Sequence, residues 1–101
     1  MKIYLDDVRP APDGWILARW PSEVIDYIKT GKVTHVSLDH DLGDDSKGTG
    51  YDVLTYLEGQ ARAYDGPLPT IFIHTANPVA RARMFQAVNS IDLFLQTLDR
   101  I

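Results

Sequence analysis

The feature that most constrains the fold is the regular alternation of short apolar runs with stretches of helical periodicity. Lys2–Leu5, Trp15–Ala18, Val33–Leu38 and Ile71–Ile73 read as strands. Pro21 and Ser22 supply start signals for a helix in which Val24, Ile25 and Ile28 recur at helical spacing, and Gly31 is placed to stop it. Thr49 with Asp52 three residues later resembles a capping box, and Val53, Leu54, Leu57 and Ala61 continue as an apolar stripe up to Asp65-Gly66-Pro67. Asn77-Pro78 is an N-cap and first-turn pair for a third helix carrying Val79, Met84, Val88, Ile91, Leu95 and Leu98, which Asn89-Ser90 would break in two. Nearly continuous apolar strands alternating with helices predict a parallel sheet covered on both faces. One link departs from this rhythm: Val8–Gly14 holds two prolines and a glycine, so a loop replaces the first crossover helix and leaves the direction of the second strand open.

A chain of 101 residues has room for one core, so a single domain over 1–101 is expected. The composition, 45% apolar and 24% charged, is that of an ordinary globular protein, and no window stays apolar for the roughly 20 residues of a membrane span. The N-terminal apolar run is too short for a signal peptide and meets Asp6 and Asp7 where cleavage would fall. Absence of cysteine excludes disulfides, zinc thiolate sites and a thiol nucleophile, and fits an expected cytoplasmic location. A metal would therefore use oxygen or imidazole. The net charge of −4 and ten scattered basic residues disfavour broad capture of duplex nucleic acid, but not of a short nucleic-acid end.

In parallel sheets the reactive groups lie beyond the carboxyl ends of the strands. Three segments meet that description: Asp6-Asp7-Val8-Arg9, Asp39-His40-Asp41 and His74-Thr75-Ala76-Asn77. Adjacent carboxylates at a strand end repel one another, and a hard cation relieves them, so Asp6, Asp7 and Asp39 are candidate ligands for Mg²⁺ or Mn²⁺; the alternative is a set of solvated loop acids. His40 and His74 stand beside these acids as candidate acid and base, with Asp41 as a further catalytic group; His74 could instead be a hydrogen-bonded core histidine. Thr75 and Asn77 put a hydroxyl and an amide at a helix start that favours an anion, and Arg9 could clamp a phosphate; capping alone would also explain Asn77. His35 lies away from the acids and reads as structural. Trp15 and Trp20 could stack on a base or simply pack, and Gly48-Thr49-Gly50 is a weak glycine-rich loop without the lysine of a P-loop.

These residues resemble response-regulator receiver domains through Leu5-Asp6-Asp7, Val36-Ser37-Leu38-Asp39, Gly50-Tyr51-Asp52-Val53-Leu54 and Ile73-His74-Thr75-Ala76. That resemblance implies Asp6 and Asp7 holding Mg²⁺, Asp39 as the phosphorylatable acid and Thr75 at the phosphoryl group. The chain departs from it in the Pro-rich loop and in having no lysine after Lys47, so the family's switch lysine is missing. It is more closely similar to the receiver-like family described as cyclic-phosphate-processing, through Leu5-Asp6-Asp7-Val8-Arg9, Pro12-Asp13-Gly14-Trp15, Ser37–Gly43, Thr49-Gly50-Tyr51-Asp52 and His74–Pro78, which span nearly the whole chain. A weaker similarity links Asp39-His40-Asp41 and Thr75 to haloacid-dehalogenase phosphatases, whose lysine and late acidic pair have no counterparts here.

The resulting expectation is a small three-layer α/β domain of flavodoxin or receiver type, with a mainly parallel sheet of about four strands and no first crossover helix. Its expected function is metal-dependent processing of a phosphoester, hydrolysing or binding a cyclic phosphate on a nucleotide or RNA end. The rival classes are a non-enzymatic receiver-like signalling module and a nucleotide-sequestering interaction protein.

Overall fold

The structure is a computed structural model that describes residues 1–39, 48–62 and 68–99, with side chains described up to residue 92 of the last helix. Its elements follow the expected alternation: β1 (Lys2–Leu5), β2 (Ile16–Ala18), α1 (Pro21–Lys29), β3 (His35–Leu38), α2 (Gly50–Arg62), β4 (Thr70–Ile73) and α3 (Pro78–Asp99). The strands form one sheet in the order β2-β1-β3-β4. Every pairing is parallel, including β1 with β2 through Ile3↔Ile16 and Leu5↔Ala18. This settles the direction of the second strand. Residues 6–15 are long enough, at about 3.3 Å or more per extended residue, to return along a four-residue strand without a helix.

Local chemistry explains where the helices begin. Glu23 reaches back to accept the N–H groups of Arg19 and Trp20 at the head of α1, and Gly31, at φ 75°, follows its C-cap Thr30. At α2 the Asp52 carboxylate accepts the Thr49 N–H at 2.9 Å, while Thr49 Oγ1 accepts from Tyr51 N–H, the reciprocal cap read from the sequence. Asn77 Oδ1 accepts from Val79 and Ala80 N–H at 3.1 Å and so caps α3. Contrary to the expected break, α3 runs unbroken through Asn89 and Ser90, because both lie on its exposed side and interrupt no packing.

The core forms on one face of the sheet. Ile3, Leu5, Ala18, Val36 and Leu38 point into it and meet Val24 and Ile28 of α1, Val53, Leu54 and Leu57 of α2, and Met84 and Ile91 of α3. Each such aliphatic side chain contributes about 1.5–3 kcal/mol on full burial, so this layer carries the stability. The α/β receiver-like fold is as expected, but the helices of the described residues all lie on that one face. Handedness gives the reason: β2→α1→β3 and β3→α2→β4 move the same way across the sheet, and right-handed crossovers then put both helices on one side. Only the β1→β2 link moves the other way, and it is the one without a helix. On the opposite face Trp15, at the end of that loop, lies against Tyr4, His35 and Phe72 with centroid separations of 6.2, 6.3 and 6.3 Å. No helix among the described residues is long and apolar enough to cross a membrane.

Candidate metal and phosphate site

The sheet register builds the site. Leu5 pairs with Leu38, and Leu38 with Ile73, so Asp6, Asp39 and His74 are the next residues of three adjacent strands. The ladder continues through them: Asp6 N–H donates to Ala18 C=O, Asp39 N–H to Leu5 C=O, and His74 N–H to Leu38 C=O, at 3.0–3.1 Å. Neighbouring strands lie about 4.8 Å apart, and residues level with one another in a parallel sheet project to the same side. The consequence is a group of two carboxylates and one imidazole whose ligand atoms all lie within 4.8 Å of one another.

Asp6 is 1% exposed, so its carboxylate must find partners within the protein. Oδ1 accepts the N–H groups of Val8 and Arg9, each at 2.9 Å, and Oδ2 accepts from His74 Nε2 at 3.1 Å. Burial pushes the Asp6 pKa upward, but the Arg9 and Val8 N–H groups and His74 outweigh it and hold the carboxyl below its usual 3.8. His74 moves the other way. Its burial outweighs the nearby Asp39 and Asp6 charges and lowers its pKa below 6.5, so the ring is neutral at neutral pH. With Nε2–H donated to Asp6, Nδ1 is an acceptor, and the Ser37 hydroxyl lies 2.7 Å from it. The ring also stacks on Tyr4, with centroids 4.2 Å apart and planes 5° from parallel.

Other sequence candidates take distinct places. Asp7 is half-buried and stands outside the gathered group of Asp6, Asp39 and His74. Arg9 is exposed and reaches the rim, its Nη1 donating to the His74 carbonyl at 3.4 Å, while Arg19 Nη1 donates to the Asp6 carbonyl at 3.2 Å. Thr75 is buried, and its hydroxyl accepts the Asn77 N–H at 3.2 Å, which ties the turn between β4 and α3. His40 and Asp41 lie outside the described residues. His35 bonds to Thr34 Oγ1 through Nδ1 and stacks on Phe72, two rows down the sheet from the acids.

Two contributors escaped the sequence reading. Ser37 orients His74, and only its place on the same face as Asp39 and its closeness to the motif could have marked it. Gly50 opens α2 directly against the carbonyl of Asp39, where an added Cβ would collide with that oxygen. Gly50 is therefore a close-approach position that lets the start of α2 pack against the Asp39 backbone. A hollow lined by Leu68, Ile71, Val88 and Ile91 includes Thr70, at the opposite end of β4 from His74.

The donor set suits a divalent cation. Carboxylate oxygens suit Mg²⁺ and Mn²⁺, while imidazole suits transition metals, so the mixed set is compatible with Mn²⁺ as well as with Mg²⁺. The Ser37 hydroxyl can donate to or accept from Nδ1, so His74 can release its Nε2 proton and ligate without losing its second hydrogen bond.

No curated protein and no solved structure matches the chain at a significant level. The model of one family, described as the cyclic-phosphate processing receiver domain, matches residues 1–90. Asp6, Asp39, His74 and Gly50 all fall within that match, and by it the chain belongs to the family of cyclic-phosphate processing receiver domains.

Proposed function

We propose that this domain binds one divalent cation, Mn²⁺ or Mg²⁺, through Asp6, Asp39 and His74 and hydrolyses a cyclic phosphodiester at that site. The observation that carries the reading is the in-register convergence of two carboxylates and a neutral imidazole within 4.8 Å at the carboxyl edge of the sheet. Membership of a cyclic-phosphate processing family supplies the substrate class. The bound cation supplies Lewis acidity toward a phosphoryl oxygen and toward water.

The chain's own groups do the rest. Asp6 is fixed by two backbone N–H groups, so its remaining oxygen presents a preset direction. Asp7, half-buried beside it, adds negative charge to the rim. Arg9 places a cation at the mouth for the phosphate, and Thr75 with the capped start of α3 at Asn77 offers a hydroxyl and a positive helix end. Nε2 of His74 cannot both ligate and carry a proton. His74 therefore serves as a ligand and the proton falls to His40, with Asp41, its neighbour in sequence, as a further acid or base. The substrate is a phosphate-containing small molecule or nucleic-acid end handled in the cytoplasm.

The test is turnover of adenosine 2′,3′-cyclic and 3′,5′-cyclic phosphates with Mn²⁺, with Mg²⁺ and with chelator. Metal-dependent formation of a phosphomonoester, lost in Asp39→Asn, supports the reading. Binding of these compounds without product, at any metal concentration, would replace hydrolysis by sequestration.

A further inference from the structure

We infer that the open face of the sheet carries a nucleobase subsite centred on Phe72, which holds the base of a nucleoside whose cyclic phosphate lies at Asp6, Asp39 and His74; this rests on the function proposed above. The register places Tyr4, Ser37 and Phe72 in one row, two residues before Asp6, Asp39 and His74 on the same strands. Residues two apart share a face and are separated by about 7 Å along the strand, roughly the reach from a ribose phosphate to its base. The rings and the metal-ligating groups are therefore consecutive rows of one surface. His74 belongs to both, since it bonds to Asp6 and stacks on Tyr4.

The chemistry of this surface fits a base and a phosphate. Phe72 is 48% exposed, a large aromatic side chain turned to solvent, and its ring is held by parallel stacking on His35 and an edge contact with Trp15. A ring braced on two sides loses little freedom when a base stacks on it. Lys2 Nζ lies 5.8 Å from the centre of the Trp15 ring, Arg9 and Arg19 reach the rim, and no described strand residue on this face is a carboxylate. Among the described residues, the acidic groups that continue this face, Asp6 and Asp39, stand at the metal row, where a cation would offset them. Among the described aromatic residues of this face Phe72 is the exposed one and the others are half-buried, so the surface offers a place for one base, that of a mononucleotide.

The test compares two five-membered cyclic phosphates that differ in whether they carry a base: adenosine 2′,3′-cyclic phosphate and glycerol 1,2-cyclic phosphate. The affinity of each is measured in Mn²⁺, by calorimetry where the compound stays intact and as KM where it is turned over, with Trp15 fluorescence in a Trp20→Phe background as a second readout. The expected result is tighter binding of the adenosine compound with quenching of Trp15, and a loss of about 10-fold in Phe72→Ala, the effect of removing one stacking ring. The glycerol compound should bind wild type and Phe72→Ala equally. Equal affinities for the two compounds, unchanged in Phe72→Ala, would overturn the base subsite and leave the phosphate site standing. Failure of both compounds to bind would overturn the phosphate site and the subsite together. Dimerisation in sedimentation runs that Phe72→Ala abolishes would show that a second copy covers this face and would likewise overturn the subsite.

Discussion

His74 donates from Nε2 to Oδ2 of Asp6 across 3.1 Å, joining residues 68 positions apart in the chain. The bond exists because parallel register sets the ends of β1 and β4 level on either side of β3. It gives a buried carboxylate a partner and a half-buried imidazole a fixed direction. Both groups are thereby held in place at the sheet edge, at the cost of a pH-sensitive fold.

That cost is measurable in the metal-free protein. His74 has a folded pKa below 6.5, so as pH falls through 6.5 the unfolded chain takes up a proton that the folded chain refuses. Stability should therefore decline from pH 6.5 downward until the lowered folded value is passed. Asp6, held below 3.8, adds a second loss as pH falls below 3.8, where the unfolded chain is again protonated first. Urea melts in chelator at pH 8, 6 and 5 should show the first decline, and His74→Asn should flatten it.

Gly50 makes a paired prediction with Gly59. A Cβ at Gly50 would strike the Asp39 carbonyl and approach Met84 Cε at 3.1 Å, so Gly50→Ala should cost about 1–3 kcal/mol and weaken Mn²⁺ binding by displacing Asp39. At Gly59, exposed on α2, a Cβ would meet nothing, and Gly59→Ala should stabilise the protein by about 0.5–1 kcal/mol with Mn²⁺ affinity unchanged. Denaturant melts and metal titrations on the two variants separate the effects.

Ser37 acts on the site through His74. Removing its hydroxyl in Ser37→Ala leaves Nδ1, 2.7 Å away in the wild type, without that partner and frees the ring's orientation. Mn²⁺ affinity should fall about 10-fold or more, while Ser37→Thr, which keeps the hydroxyl, should recover most of it. Equal affinities in wild type and Ser37→Ala would mean that Asp6 and Tyr4 orient the ring without Ser37.

Which parts of this arrangement were legible in the sequence follows from how local their causes are. The caps at Thr49–Asp52 and Asn77 use neighbouring residues, and the sequence shows them directly. Asp6, Asp39 and His74 each follow a strand, so parallel pairing alone predicts their convergence. Ser37 was hidden because its partner is 37 positions away, and Gly50 because the sequence does not show the Asp39 backbone beside it. The one-sided helical layer was not legible, because it follows from the strand order, which sets the direction of each right-handed crossover and has no local signal in the sequence. Ligand atoms gather around Asp6, Asp39 and His74 without Asp7, a distinction that adjacency in sequence cannot make.

The most direct measurement is pulsed electron paramagnetic resonance of Mn²⁺ bound to the wild-type protein, together with metal titrations of three variants. The account predicts one bound Mn²⁺ per chain with an imidazole nitrogen coupling that disappears in His74→Asn, and an affinity reduced at least about 10-fold in Asp6→Asn and Asp39→Asn. Absence of stoichiometric binding, or binding of equal strength in the wild type and both aspartate variants, would contradict it.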